Sequence, residues 1–264
     1  MKIQNTIKNI ARSALVAASM VGGVLAGTNE VAFTNAPEAQ LQAPEQKTIN
    51  GSFSERYASR YLLGSGYEAS KGPVLQDTLK LNYGNAGLTL TDNHDLTTEK
   101  GPRGWDINEL RIIPSYKFQL IDSVSLTQDA QLRVYPGHTL ANHSDKVLGT
   151  TLVYNGPVTL GAAYCHFFPT PTAKAQDGVI LSIAKPLKLV SDKDLTVTLT
   201  PSFATDYQTN HRGNTGLYYG TLGTSLCAER GRFGIETSVN RQMGNVDDHR
   251  HNVNYFTLGA KVKF

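Results

Sequence analysis

The sequence predicts an all-β protein, an up-and-down antiparallel transmembrane β-barrel of about twelve strands. Three observations predict it. Apolar and polar residues alternate in long runs from Phe53 to the chain end, short turns alternate with long polar loops, and aromatic residues gather at strand ends on the apolar parity. Successive side chains of a strand point to opposite faces, so each run carries one apolar and one polar face.

The first element is a leader. MKIQNTIKNIARSALVAASMVGGVLAGT carries Lys2, Lys8 and Arg12, then a mostly apolar stretch from Ala14 to Ala26 that ends in Val24-Leu25-Ala26. This reads as a secretory signal peptide over residues 1–26, and its apolar stretch is shorter than the roughly 20 residues a spanning helix needs. Removing its three basic residues from 25 leaves 22, against 22 acidic residues. The mature chain is then formally neutral, and nothing supports nucleic-acid binding. Residues 27–51 are rich in Asn, Gln, Pro and Ala and read as a flexible periplasmic lead-in, with the barrel over 52–264. The two cysteines, Cys165 and Cys227, fall on expected strands that are not neighbours, so one disulfide is the most they could form.

Strands are expected at 53–63, 73–83, 86–92, 106–119, 122–135, 145–154, 158–168, 178–188, 193–207, 215–228, 232–240 and 252–264. The clearest sets Leu195, Val197, Leu199, Phe203 and Tyr207 against threonines and aspartates. Tight turns fall at Gly84-Asn85, Leu120-Ile121, Asn155-Gly156-Pro157, Val190-Ser191-Asp192 and Glu229-Arg230-Gly231. Between them lie longer loops near 64–72, 93–105, 136–144, 169–177, 208–214 and 241–251. Short turns at one end and long loops at the other are the pattern of a membrane barrel.

A soluble sandwich would show the same alternation with the apolar set inside. The aromatics weigh against it. Phe53, Tyr83, Phe118, Tyr154, Phe233 and Phe264 fall beside short turns, and Tyr61, Phe168, Tyr207 and Tyr218 beside long loops, all on the apolar parity. Two such belts bracket a lipid-facing band. The final run, YFTLGAKVKF from Tyr255 to Phe264, ends on an aromatic ring. A barrel has no edge only if its last strand pairs with its first, so this terminus should be fully hydrogen-bonded.

The leader, the meander and YFTLGAKVKF resemble the Gram-negative outer-membrane β-barrel class, and SRYLLGSGYEASKGPVLQDTLKLNYG is similar to the first hairpin of small outer-membrane and porin-like proteins. The resemblance implies residence among outer-membrane lipid, and recognition of the C-terminal strand ending at Phe264 by the barrel-assembly machinery. No cofactor is implied.

With the apolar parity toward lipid, the lumen should be lined by Arg56, Arg60, Lys80, Glu109, Arg111, Lys117, Asp129, Arg133, Asp194, Arg232, Glu236, Lys261 and Lys263. Basic residues outnumber acidic ones in this set. That favours a passive pore or uptake channel for small polar, anionic solutes, the alternative being a structural or adhesive barrel sealed by its own ion pairs. His94, His138, His143, His249 and His251 fall in or beside the long loops, with Asp92, Asp95, Asp247 and Asp248 as neighbours. Imidazole and carboxylate together could hold a transition metal there, or serve a hydrolase at the outer mouth.

Overall fold

The computed structural model describes residues 49–62, 68–70, 72–96, 108–134, 145–169, 174–192, 194–211, 214–244 and 252–264. The expected leader and nearly all of the lead-in lie outside these residues. Asn50–Phe264 forms one compact unit. Its wall is twelve strands: β1 (Ile49–Ala58), β2 (Val74–Tyr83), β3 (Ala86–Asp95), β4 (Glu109–Ile121), β5 (Val124–Val134), β6 (Asp145–Asn155), β7 (Thr159–Phe167), β8 (Gln176–Ala184, continued by Leu187–Ser191), β9 (Thr196–His211), β10 (Asn214–Arg230), β11 (Phe233–Gly244) and β12 (Val253–Lys263). Tyr61–Leu62 and Glu68–Ser70 make a separate two-stranded ribbon after β1, so the first expected strand stops short of Leu63.

Each strand pairs with the next in sequence, and β12 pairs antiparallel with β1, from Ser52 opposite Lys263 to Ala58 opposite Thr257. The result is a closed up-and-down barrel. Closure leaves no edge amides for lipid to strand.

The last residue is part of the seam. Gly51 N–H donates to the Phe264 carbonyl at 2.9 Å, and Phe264 N–H donates to the Gly51 carbonyl at 2.9 Å. The Phe264 ring lies against Gly51 so closely that a Cβ there would stand 2.7 Å from a ring carbon and 2.8 Å from the Lys80 carbonyl oxygen. Deleting Phe264 should destabilise the barrel by about 2 kcal/mol, since each lost backbone bond is worth roughly 1 kcal/mol net. A lowered urea midpoint of the circular dichroism signal in lipid vesicles would show it; an unchanged midpoint would mean the seam closes without this residue.

The Gly84-Asn85 turn falls where the sequence places it, whereas Leu120-Ile121 and Val190-Ser191 stay in strand and their turns come at Asp122-Ser123 and from Asp192 to Leu195. Gly84 (φ 57°) and Gly231 (φ 55°) take the left-handed conformation that hairpin turns require. Pro186 interrupts β8. Lys185 N–H still donates to the Pro201 carbonyl across the β8–β9 ladder at 3.0 Å, but neither proline has an amide hydrogen to give.

Burial decides which face is inside. Glu109, Asn93, Asp206, Gln208 and Gln242 are buried, and among the described residues the buried apolar ones are only Ala58, Val74, Val147 and Val253. Leu181, Leu195, Leu222, Leu258 and Ile235 are exposed, Leu195 by 39%. A soluble sandwich would reverse this arrangement, because apolar burial is its driving force. The polar set is within and the apolar set without.

The apolar band has a gap. Glu55 shares the outward parity of Phe53 and Tyr57, opposite Ala260. Asp77 shares that of Leu75 and Leu79, opposite Asp92, whose carboxylate meets His94 at 3.1 Å. Each of the three carboxylates lies three residues from the long-loop end of its strand, at Ala58, Val74 and Asp95. On β1 to β3 the band therefore ends short of the long loops, as it does at Arg241 on β11.

Candidate functional site

The interior wall is the site, and period-two alternation builds it. On β4, Tyr116, Phe118 and Leu120 are exposed outward, while the other parity brings Glu109, Arg111 and Lys117 to the inner face. On β5 the same alternation brings Ser125, Asp129, Gln131 and Arg133 inward.

Glu109 anchors the densest cluster. It is 0% exposed and holds Arg111 at 2.7 Å, with the Nε of Arg133 at 3.9 Å. Asn93 donates to the same carboxylate at 3.2 Å and accepts from Gln76 at 2.7 Å. Arg133 continues to Gln131 at 3.4 Å, and Gln131 to Asp129 at 2.9 Å. The Arg133 guanidinium also lies 5.4 Å from the centre of the Phe167 ring. The Gln76–Asn93, Asn93–Glu109 and Glu109–Arg133 contacts each join neighbouring strands, so the network runs around the wall. Such charge-assisted bonds offset the cost of burying three ions.

A second group sits on β5 to β9. Asp206 is buried and accepts from Gln208 at 2.6 Å. Two glycines make room for carboxylates: a Cβ at Gly149 would lie 2.6 Å from Asp129 Oδ1, and one at Gly178 would lie 3.7 Å from Asp206 Oδ1. Cys165 stands opposite both glycines in the ladders.

Near the short turns lies a cavity of about 160 Å³, lined among others by Arg56, Lys80, Lys261, Glu236 and Cys227. Beside it Lys263 pairs with Glu229 at 2.8 Å. Both cysteines are free thiols.

Two residues from the expected lumen set sit elsewhere. Asp194 lies in the turn before β9 and Arg232 in the Gly231 turn before β11, so both are at the rim instead of along the wall. These strands begin one to three residues later than their alternation suggests, because the turns use polar residues that fit either state. Arg60 is half-buried in the bend after β1. Of the expected aromatic belts, Phe53, Tyr83, Phe118, Tyr154, Phe168, Tyr207, Phe233 and Phe264 are all exposed. The side chains of Tyr61 and Tyr218 lie outside the described residues.

The metal and hydrolase readings rest largely on His138, His143, His249 and His251, which lie outside the described residues. His94 is described and points outward with Asp92, away from the lumen. Among the described residues no three His, Cys, Asp or Glu side chains converge on a common point. Sequence reasoning missed Asn93, Gln76, Asp206, Gln208 and Lys188. Lys188 faces Thr198 in the ladder, and Thr198 faces Cys227, which places all three on the inner wall.

A closed wall, apolar outside and charged inside, decides the architecture. Its fold is that of the outer-membrane porins. The KdgM porin superposes with a TM-score of 0.54 at 12% sequence identity, covering 81% of this chain and 99% of that one. The same porin in complex with disordered oligogalacturonate gives a TM-score of 0.52 at 10% identity, covering 81% and 99%. At such identities the likeness speaks for the fold alone. No protein-family model matches the sequence, and no curated protein matches it.

Proposed function

We propose that the chain is a passive outer-membrane pore or uptake channel for small polar solutes, with a leaning toward anions. The observation that carries this reading is the inverted wall: Glu109, Asn93 and Asp206 are buried while leucines and aromatic rings face out. A barrel that only filled its interior would gain more from well-packed apolar side chains than from ion pairs, whose desolvation often cancels their attraction. A charged wall instead suits a water-filled path.

The leaning toward anions rests on the excess of basic residues along the inner wall near the short turns, Lys80, Lys117, Lys188, Lys261 and Lys263 against Glu229 and Glu236, and the oligogalacturonate-bound porin fits it. In this reading the short turns face the periplasm, outer-membrane lipid surrounds the apolar band, and the barrel-assembly machinery reads β12 through Phe264. The Glu109 network favours a second reading, a barrel sealed by its own ion pairs. The refolded protein should give discrete conductance steps in planar lipid bilayers. A membrane that stays sealed at all voltages would overturn the pore and leave the sealed structural barrel.

A further inference from the structure

We infer that the lumen is electrically polarised along its axis, basic near the short turns and acidic near the long loops, so that an anionic solute is concentrated at the short-turn end. This rests on the channel reading and adds to it a direction.

The polarity is read from strand parity and register. On inner-face positions in the half nearer the short turns stand Lys80, Lys117, Lys188, Lys261 and Lys263, against Glu229 and Glu236, while Arg56 lies past the middle of β1 on the wall of the same cavity. Lys263 already neutralises Glu229. Among the described residues no carboxylate lies within ion-pair reach of Arg56, Lys80 or Lys261. In the other half the inner positions hold Asp95, Glu109, Asp145 and Asp206 against Arg111 and Arg133, with Arg60 in the bend after β1 and Asp129 midway along β5. Low-dielectric walls focus the field of such charges along a narrow lumen. At physiological salt the Debye length is ~8 Å, short enough for the two halves to keep separate potentials.

The two native cysteines sit one in each half, and both are on the inner face. Cys165 lies between Gly149 and Gly178, beneath the Asp129 and Asp206 carboxylates. Cys227 lines the short-turn cavity with Arg56, Lys80 and Lys261, and with Glu229, which Lys263 already neutralises, and Glu236. They can report the local potential through methanethiosulfonate reagents of opposite charge, the anionic sulfonatoethyl and the cationic trimethylammonioethyl forms. Dividing the two rates at one cysteine removes that thiol's own reactivity and leaves the potential, counted twice because the reagents differ by two charges.

The experiment uses the full barrel in lipid vesicles as C165S, which reads Cys227, and C227S, which reads Cys165. The anionic-to-cationic rate ratio should be about tenfold higher at Cys227 than at Cys165 at low ionic strength, a difference of roughly one kT in potential. It should narrow in 1 M salt, where the Debye length falls to ~3 Å. Adding K80Q and K261Q to C165S should remove most of the preference at Cys227; the same changes in C227S should leave Cys165 as it was. Equal ratios at the two cysteines would overturn the polarity while leaving a conducting pore intact. If neither thiol reacts until the barrel is unfolded, the lumen is closed and the channel reading falls with the inference.

Discussion

Replacing Leu181 with arginine should cost the barrel about 2–4 kcal/mol, the penalty for a cation at the middle of a lipid-facing strand. Leu181 is 55% exposed, in the interior of β8, opposite Ala162 on one side and Thr205 on the other. In lipid vesicles the variant's urea midpoint should fall accordingly, and its folded form should become sensitive to heating in detergent at lower temperature. Leu181→Ala is the partner experiment. In a soluble core that truncation costs ~2–5 kcal/mol. Here the lost methyl groups face acyl chains, and the change should stay below about 1 kcal/mol. A large loss on truncation with a small loss for arginine would place Leu181 in a dry interior and refute the lipid-facing assignment.

Glu109→Ala should be the most damaging change on the inner wall, at about 3–5 kcal/mol, because it withdraws the shared carboxylate from two partly buried guanidiniums. Arg111 and Arg133 keep only 22% and 13% of their side-chain surface exposed, so water replaces the lost partner incompletely. Denaturant titration of the refolded variant measures the loss. A double change, Glu109→Gln with Arg111→Met, should recover part of it by removing a charge together with its partner. Full stability of the single variant would show that the lumen is wet enough there to solvate both arginines, which would strengthen the case for an open pore.

The strands were legible because each faces two solvents, and water and hydrocarbon select opposite side chains at every other position. That is why the Leu195, Val197 and Leu199 run, the turn at Gly84-Asn85 and the aromatic ends could be assigned without coordinates. Charged wall residues such as Glu109 and Arg133 followed from parity. Their pairing did not follow, since it depends on the register of β4 against β5, and register leaves no mark in either strand alone. Asn93, Gln208 and Asp206 were missed for a related reason: an uncharged or lone polar residue on a polar face carries no sign that it will be buried. Glu55 and Asp77 were invisible as outward residues because they break the alternation that identifies a face. The Asp194 and Arg232 positions show the usual weakness at strand ends, where turn chemistry and strand polarity use the same residue types.

The proline pair between β8 and β9 gives the cylinder a preferred place to give way. Pro114 stands alone within β4, but Pro186 and Pro201 come together across one joint, where the lacing is one-sided and held locally by Lys185. Thermal breathing or pulling should part the wall there first, well away from the β1–β12 weld, so the joint between the two ends of the chain need not be the frailest in the finished protein.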